Sequence, residues 1–153
     1  MTTTLFIFIA LLLLMVVYFF VLGQKSKSGT PPGLVGDRLA PCSSKPNCIC
    51  SEYIDDDRHY QAPIDITGLD GNNVHGDIKA VIQDLGGELQ TDSVHYLAFI
   101  FRSAIFGYVD DVEVRIDIDK NALHIRSASR VGHSDLGANG KRVEAIKQAF
   151  QQR

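Results

Sequence analysis

The 153-residue sequence has no block of charge of one sign. Its 15 Lys and Arg residues are nearly balanced by 18 Asp and Glu residues, which gives a formal charge of -3, and the two signs alternate along the chain. Because nucleic-acid-binding proteins carry a clustered basic surface, we expect no nucleic-acid partner. Internal repeats and low-complexity segments are also absent, so neither a solenoid nor a disordered tail is expected.

Motifs for cofactors and catalytic nucleophiles are missing too. There is no G-x-S-x-G turn, and the glycines at 132, 137 and 140 follow a hairpin instead of opening a helix directly after a strand. The acidic run Asp55–Asp57 is not followed by the glycine and the closing glutamate of a calcium loop. We therefore predict no cofactor, no metal ion and no catalytic residue.

Cysteine is scarce, with only 3 residues. Cys42 and Cys48 lie in the segment PCSSKPNC, a Pro-containing turn that can close a small disulfide loop in an oxidising compartment. We predict a Cys42–Cys48 disulfide, which leaves Cys50 unpaired. A zinc site formed with His59 is the alternative, but C-x5-C-x-C departs from the C-x2-C spacing of structural zinc.

Long apolar side chains are concentrated in one run. Leu5–Leu22 reads LFIFIALLLLMVVYFFVL and contains no charged residue. At 1.5 Å per residue such a run crosses most of a hydrocarbon core of about 30 Å. We predict a single transmembrane anchor over 1–24. A cleaved signal peptide is the alternative, although the leader MTTT has no basic residue and no A-x-A site follows.

The anchor is expected to precede a tether and one domain. Residues 25–40 are rich in Gly, Ser and Pro without a hydrophobic period, which predicts a flexible tether, and 41–153 has the size of one domain. Lys25 and Lys27 follow the span and nothing basic precedes it, which by the positive-inside rule places the domain in the cytoplasm. The predicted disulfide favours the extracytoplasmic, periplasmic side, and we predict that side of the membrane.

The domain is predicted to be α+β. Ile78, Val81, Ile82 and Leu85 recur at helical spacing, and the segment VHYLAFIF over 94–101 is typical of a strand buried on both faces. Charged and apolar residues alternate over 111–118, and a return strand follows over 123–129. A closing helix starts near Asn139, taken as its N-cap. Together these elements predict a small antiparallel sheet with helices on one side, preceded by the transmembrane helix.

The charged face of the hairpin carries two arginines whose partners depend on the register. If Ile118 pairs with Leu123, then Arg115 lies directly opposite Arg126. Two facing arginines require carboxylates or an anion between them. Arg126 and Arg130 could therefore bind an anionic group through their forked guanidinium geometry, or a lattice of ion pairs could hold the hairpin together.

The segment YVDDVEVRIDIDKNALHIRSASRVGHSDLGANGKR over 108–142, together with CSSKPNC over 42–48, resembles the bacterial and plastid domain-of-unknown-function family 1499. The resemblance covers nearly the whole predicted domain. It implies a fold and a membrane or envelope setting, but no activity or cofactor. Ser127 and Ser129 match the family pattern, as do the residues of our candidate polar or anion site, which are Asp110, Asp111, Glu113, Arg126, Arg130, Asp135, Asn139 and Arg142.

We predict a non-enzymatic accessory domain that binds a protein partner or a small anionic ligand at the membrane surface. The alternative is a hydrolase that uses the Asp, Ser, His and Arg residues of 110–135. Ser127, Ser129 and Ser134 offer hydroxyl groups there, and His124 and His133 offer bases. Ser127 and Ser129 are predicted to face the core, where a hydroxyl group more often bonds to the backbone.

Overall fold

The computed structural model describes residues 2–153, so Met1, the first residue of the predicted anchor, lies outside the described residues. An N-terminal helix precedes a mixed arrangement of strands and two further helices, and the predicted α+β class is confirmed. In chain order the elements are α1 (Thr2–Lys27), β1 (Leu34–Val35), β2 (Arg38–Leu39), β3 (Cys48–Cys50), β4 (Ile64–Asp65), α2 (Gly71–Asp84), β5 (Glu88–Ser93), β6 (Tyr96–Arg102), β7 (Val109–Asp117), β8 (Ala122–Ser129) and α3 (Ala138–Phe150).

Helix α1 is long and apolar enough to cross a membrane. It has 26 residues, and an 18-residue window within it has a mean hydropathy of 3.2 and is not buried against the rest of the protein. At 1.5 Å per residue its length is about 39 Å. The helix continues past the predicted end of the anchor at residue 24 and ends at Lys27. Only the last turns of the helix contact the domain, and this contact buries Gly23 and Ser26.

The domain is built on a six-stranded antiparallel sheet with the order β3-β8-β7-β6-β5, and β4 also pairs with β8. Strands β6, β7 and β8 were predicted from their apolar patterns. The pattern missed β3 and β4 because they are only 3 and 2 residues long. It missed β5 because the sequence ELQTDS is polar and mostly exposed.

Helices α2 and α3 pack on one face of this sheet, as predicted. Strand side chains alternate between the two faces, so Val112 and Val114 of β7 point towards the helices. Ile78 and Ile82 of α2 and Ile146 of α3 meet them in one core cluster. Helix α2 ends at a glycine pair, where Gly87 N–H donates to the carbonyl of Ile82 at 2.8 Å.

The predicted register of the β7–β8 hairpin is wrong by two residues. The last pair of the ladder is Asp117 with Ala122, so Arg126 lies opposite Glu113 and not opposite another arginine. The turn holds this register because Asn121 adopts a left-handed conformation with φ 51°. The Asp117 carboxylate also accepts a hydrogen bond from Lys120 N–H at 3.1 Å.

The segment predicted as a tether lies along the face of the sheet opposite the helices. Gly33 N–H donates to a carboxylate oxygen of Glu113 at 2.8 Å. Leu39 is fully buried, and its carbonyl accepts a hydrogen bond from the hydroxyl group of Tyr53 at 2.9 Å. Packing of the domain therefore includes residues that precede the predicted boundary at Pro41.

Asn139 is not the N-cap of α3. Gly137, with φ 79°, takes that position, and Asn139 lies within the helix, fully buried. The carboxylate of Asp135 accepts hydrogen bonds from Gly137 N–H at 3.1 Å and from Asn139 N–H at 2.7 Å. The left-handed conformation of Gly137 lets the carboxylate of Asp135, two residues upstream, reach the first amides of the helix. Asp135 therefore caps α3, and the side chain of Asn139 is buried in the interior.

Candidate functional site

The residues of the predicted polar site divide into two groups on opposite faces of the sheet. They are separated because neighbouring positions of a strand point to opposite faces, as Asp110 and Asp111 do in β7. We call the group under residues 26–40 the outer cluster; it contains Asp111, Glu113, Arg126 and Arg130. We call the group beside α3 the helix-side cluster; it contains Asp110, Asp135, Asn139 and Arg142.

Glu113 is the centre of the outer cluster and is fully buried. One carboxylate oxygen accepts hydrogen bonds from the Tyr96 hydroxyl group at 2.7 Å and from Gly33 N–H at 2.8 Å. The other accepts a hydrogen bond from Arg126 Nη1 at 2.9 Å. The buried charge of Glu113 is therefore matched by a cation and by two neutral donors, as a buried ion requires.

Burial shifts the pKa values of both Glu113 and Tyr96. Burial raises the pKa of Glu113, and the hydrogen bonds from Tyr96 and Arg126 oppose that rise. Burial also raises the pKa of Tyr96, and the charge of Glu113 raises it further, so Tyr96 stays a hydrogen-bond donor. The Nε atom of Arg126 is buried and has no hydrogen-bond partner among the described residues.

Asp111 and Arg130 form the second pair of the outer cluster. Arg130 Nε lies 3.0 and 2.9 Å from the two carboxylate oxygens of Asp111, and Nη2 lies 2.6 Å from one of them. The remaining nitrogen, Nη1, donates to the carbonyl of Ser26 at 3.2 Å. Arg130 therefore joins the sheet to the end of helix α1.

Glu52 and Arg115, which were not predicted as site residues, extend the outer cluster. Arg115 Nε and Nη2 donate to the two carboxylate oxygens of Glu52 at 2.6 and 3.2 Å, and Nη1 donates to Asp117 at 3.0 Å. The Glu52 side chain is nearly buried in a loop that has no periodic pattern. The only sequence signal for Arg115 is the alternation of charged and apolar residues in β7. The predicted register placed Arg115 opposite Arg126, whereas it binds Glu52 and Asp117.

Arg142 organises the helix-side cluster. Its guanidinium group donates to Asp110 at 2.9 Å, to Asn139 Oδ1 at 2.6 Å and to Ser127 Oγ at 3.0 Å. The same group lies over the ring of Phe101, 4.7 Å from the ring centre. Helix α3 is thereby fastened to the strands by a charged pair, a polar network and a cation–π contact.

The arginines at 126, 130 and 142 are each held by a carboxylate, at 2.9, 2.6 and 2.9 Å respectively. Their side chains are only 10 to 16% exposed. An added anion would have to displace a buried carboxylate that is already well placed. These contacts are those expected of a lattice of ion pairs, the alternative to an anion site. They leave the guanidinium groups few free donors for an added anion.

Ser127 and His124, two residues of the hydrolase alternative, have structural partners. Ser127 is fully buried and donates to Asn139 Oδ1 at 2.6 Å. His124 Nδ1 lies 3.3 Å from Ser51 Oγ and 3.6 Å from a carboxylate oxygen of Glu52. A catalytic triad uses the two ring nitrogens for the nucleophile and the acid, whereas here both contacts are made by Nδ1. Burial lowers the pKa of His124, opposed by the charge of Glu52.

The cysteines lie beside the outer cluster. A disulfide joins Cys42 to Cys48, with Cα atoms 5.7 Å apart, and Cys50 is a buried free thiol. Burial raises the pKa of Cys50 to about 11. His59 is held by Asp56 at 2.7 Å and by the carbonyl of Lys45 at 3.0 Å. Within residues 2–153, no three His, Cys, Asp or Glu side chains are grouped so that they could hold a metal ion.

A cleft of about 490 Å³ lies where helix α1 meets the domain. Tyr18, Phe19 and Leu22 of the helix form one wall. Phe106 and Leu136 belong to the loops that form the other wall, and Ser129, His133, Ser134 and Asp135 also line it. The cleft is mainly apolar and continues the apolar surface of α1.

A second cavity, of about 640 Å³, lies at the opposite end of the domain. Strands β6 and β7 contact α1 near the turn that joins them, so their other ends lie about 20 Å away. We call the surface at those ends the distal face. It includes Val94 and Ile118, which are 76% and 43% exposed. The cavity is lined by Asp70, His75, Asp92, Ser93, Val94, His95, Ile116 and Ile118.

Comparison with known proteins agrees with the resemblance inferred from the sequence. The model of the family described as "Protein of unknown function (DUF1499)" matches residues 38–150, well over half of the chain. The match begins at the first residue of β2 and includes both clusters and the disulfide. No curated protein matches the chain. The chain therefore belongs to the DUF1499 family of proteins of unknown function.

Proposed function

We propose that this protein is a membrane-anchored, non-enzymatic binding module whose distal face binds a protein partner. Helix α1 would anchor the chain, and the contacts of Ser26 with Arg130 and Val109 would hold the domain in one orientation beside the membrane. The observation that carries the proposal is the distal cavity, which lies at the end remote from α1 and is bordered by exposed apolar side chains.

The chemistry of the distal face favours a particular partner. Val94 and Ile118 provide apolar contact, and Asp37 and Asp119, which line the adjoining groove, make its surroundings acidic. Asp92 is bound by Lys79 at 2.6 Å and by His75 at 3.0 Å, so the cavity wall is held in place. A protein segment with an apolar side chain flanked by Lys or Arg fits this surface better than an anion does.

Site-specific photocrosslinking tests the proposal. A photoreactive amino acid at Val94 of the full-length protein, in its native membrane, is expected to give one discrete adduct. The same group at Gln83, an exposed polar position of α2, is the control. Ile118→Asp should abolish the adduct at Val94, and the crosslinked peptide should contain a basic residue beside an apolar one. Equal adducts at both positions, or an adduct indifferent to Ile118→Asp, would contradict a specific distal site.

Chemical denaturation of the full-length protein tests whether Arg126 or Arg130 binds an anion. If Arg126 or Arg130 bound phosphate, added phosphate would raise the midpoint of chemical denaturation by mass action. We expect no shift beyond that produced by chloride at equal ionic strength, because both arginines are already paired. A phosphate-specific rise would instead favour the anionic ligand.

A hydrolase is the second candidate because Ser129, His133, Ser134 and Asp135 all line the cleft beside α1. Their hydrogen bonds do not resemble an activated nucleophile: Ser134 Oγ accepts from Leu136 N–H at 3.2 Å, and Ser129 Oγ accepts from Asn139 Nδ2 at 3.0 Å. Ester and phosphate substrates should therefore be left intact by the wild type. Turnover that disappears in His133→Ala would overturn the non-enzymatic proposal.

A further inference from the structure

We infer that the loops over 103–108 and 131–136 insert apolar side chains into the lipid bilayer beside helix α1, so that the domain has a second membrane contact besides its anchor. This inference rests on the proposed membrane anchor. The side chains that would enter the bilayer surface are those of Ile105, Phe106 and Leu136. The partner is the lipid bilayer itself.

The depth of Phe106 follows from its contacts with α1. Its ring centre lies 5.4 Å from that of Phe19 and 5.3 Å from that of Phe20. Phe19 precedes the end of the apolar run at Leu22 by three residues, about 4.5 Å along the helix. If the apolar run of α1 lies in the hydrocarbon core, Phe106 reaches the boundary of that core.

The approach of this loop to the helix is tight and specific. A Cβ atom built on Gly23 would clash with the carbonyl oxygen of Phe106, so only glycine permits the contact. Ser26 Oγ accepts a hydrogen bond from Val109 N–H at 3.0 Å and donates to the Gly23 carbonyl at 2.6 Å. The loop is therefore held against the helix by backbone contacts and cannot move away from the depth of Phe19 without breaking them.

The neighbouring side chains are unusually exposed for apolar residues. Ile105 is 77% exposed and Leu136 is 90% exposed. Leu136 also has φ 55°, a left-handed conformation that is unfavourable for a leucine. In water, this exposed arrangement stabilises neither side chain. Contact with lipid would bury both apolar side chains and so stabilise the loops.

The two carboxylates that line the adjoining cleft do not oppose insertion. Asp135 directs its carboxylate at the amides of α3, and Asp110 is paired with Arg142 at 2.9 Å. Lys25 and Lys27 follow the apolar run, where their long side chains can reach the phosphate groups at the bilayer surface. The cleft of about 490 Å³ between α1 and the loops opens at the same level, so acyl chains would fill its apolar part.

Fluorescence quenching in phosphatidylcholine vesicles tests the inference on the full-length protein. An environment-sensitive label is attached to cysteine at Ile105→Cys or Leu136→Cys, both of which are largely exposed positions. The native thiol of Cys50 is buried and the other two cysteines are bonded, so the label reaches only the introduced residue. Spin-labelled lipid should quench both labels at least threefold more than it quenches a label at Val94→Cys, and aqueous iodide should show the reverse order.

A label within α1, at Leu12→Cys, separates the two ways in which the experiment can fail. If lipid quenches the label at Leu12 but iodide reaches Ile105 and Leu136 as readily as Val94, the anchor stands and the loop insertion is wrong. If lipid does not quench even the label at Leu12, the proposed anchor itself is wrong. Lipid quenching at Leu12, Ile105 and Leu136, together with iodide quenching at Val94, supports both.

Discussion

At the scale of single residues, the Glu113–Arg126 pair is the most sensitive part of the domain. Arg126→Gln leaves a fully buried carboxylate without its cation, although Tyr96 and Gly33 still donate to it. We expect the change to reduce the free energy of unfolding at pH 7 by about 3 kcal/mol. Urea denaturation of the full-length protein in detergent micelles, followed by tyrosine fluorescence, measures the loss.

The pH dependence of this loss identifies its cause. Burial raises the pKa of Glu113 in the folded state, so ionised Glu113 destabilises the fold and protonation relieves the cost. The difference between Arg126→Gln and the wild type should therefore shrink as the pH falls through the raised pKa of Glu113. The double variant Glu113→Gln, Arg126→Gln is the control and should show no such change. A loss that stays constant as the pH is lowered from neutral until Glu113 is protonated would exclude the Glu113 charge as its source.

The thiol group of Cys50 should be unreactive in the folded protein. Its burial raises its pKa to about 11, so almost none of it is thiolate at pH 8. Iodoacetamide is expected to leave the folded protein unmodified at pH 8 and to add one group after unfolding in urea without reductant, as mass spectrometry would show. Addition of three groups under those conditions would mean that Cys42 and Cys48 are reduced and would favour the cytoplasmic side.

At the scale of secondary-structure elements, the junction between α1 and the β6–β7 turn depends on Gly23. Gly23→Leu would place side-chain atoms on the carbonyl oxygen of Phe106 and force the helix away from the sheet. The hydrogen bond from Val109 N–H to Ser26 Oγ should then be lost. We expect amide hydrogen exchange at Val109 to become at least tenfold faster, whereas exchange within β8 should change little.

Gly76 provides the matched control for that change. It lies in helix α2 with an ordinary φ, and a Cβ atom there would meet nothing within 4 Å. Gly76→Ala should therefore raise the free energy of unfolding by about 0.5 to 1 kcal/mol, because alanine loses less conformational entropy in a helix. Faster exchange at Val109 in Gly76→Ala would show that the effect of Gly23→Leu is not specific to the junction.

At the scale of the whole molecule, the last turns of helix α1 pack against the domain. Cleavage after the apolar run would remove Phe19 and Phe20, whose rings contact that of Phe106. We therefore expect the full-length protein to stay with membranes after alkaline carbonate washing and to have an intact mass that begins at or near Met1. A mature mass that lacks the first twenty or so residues would establish a cleaved signal peptide instead.

Several features of this protein were determined by the sequence alone because they depend on local pattern. The apolar run predicts helix α1, the alternation over 111–118 predicts strand β7, and the spacing of Ile78 and Ile82 predicts helix α2. The family also followed from the sequence, since the motif over 108–142 is contiguous. Such signals need no knowledge of which distant residues meet.

Only the tertiary structure decided how the polar residues are grouped. Strand alternation separates Asp110 from Asp111, and the conformation of Asn121 moves the hairpin register by two residues, which gives Arg126 the partner Glu113 instead of a facing arginine. The burial of Glu113 arises because residues 26–40 cross the sheet, and their composition resembles that of a tether. Contacts between residues far apart in sequence, such as Ser26 with Arg130, leave no periodic trace in the chain, so they emerge only when the fold brings them together.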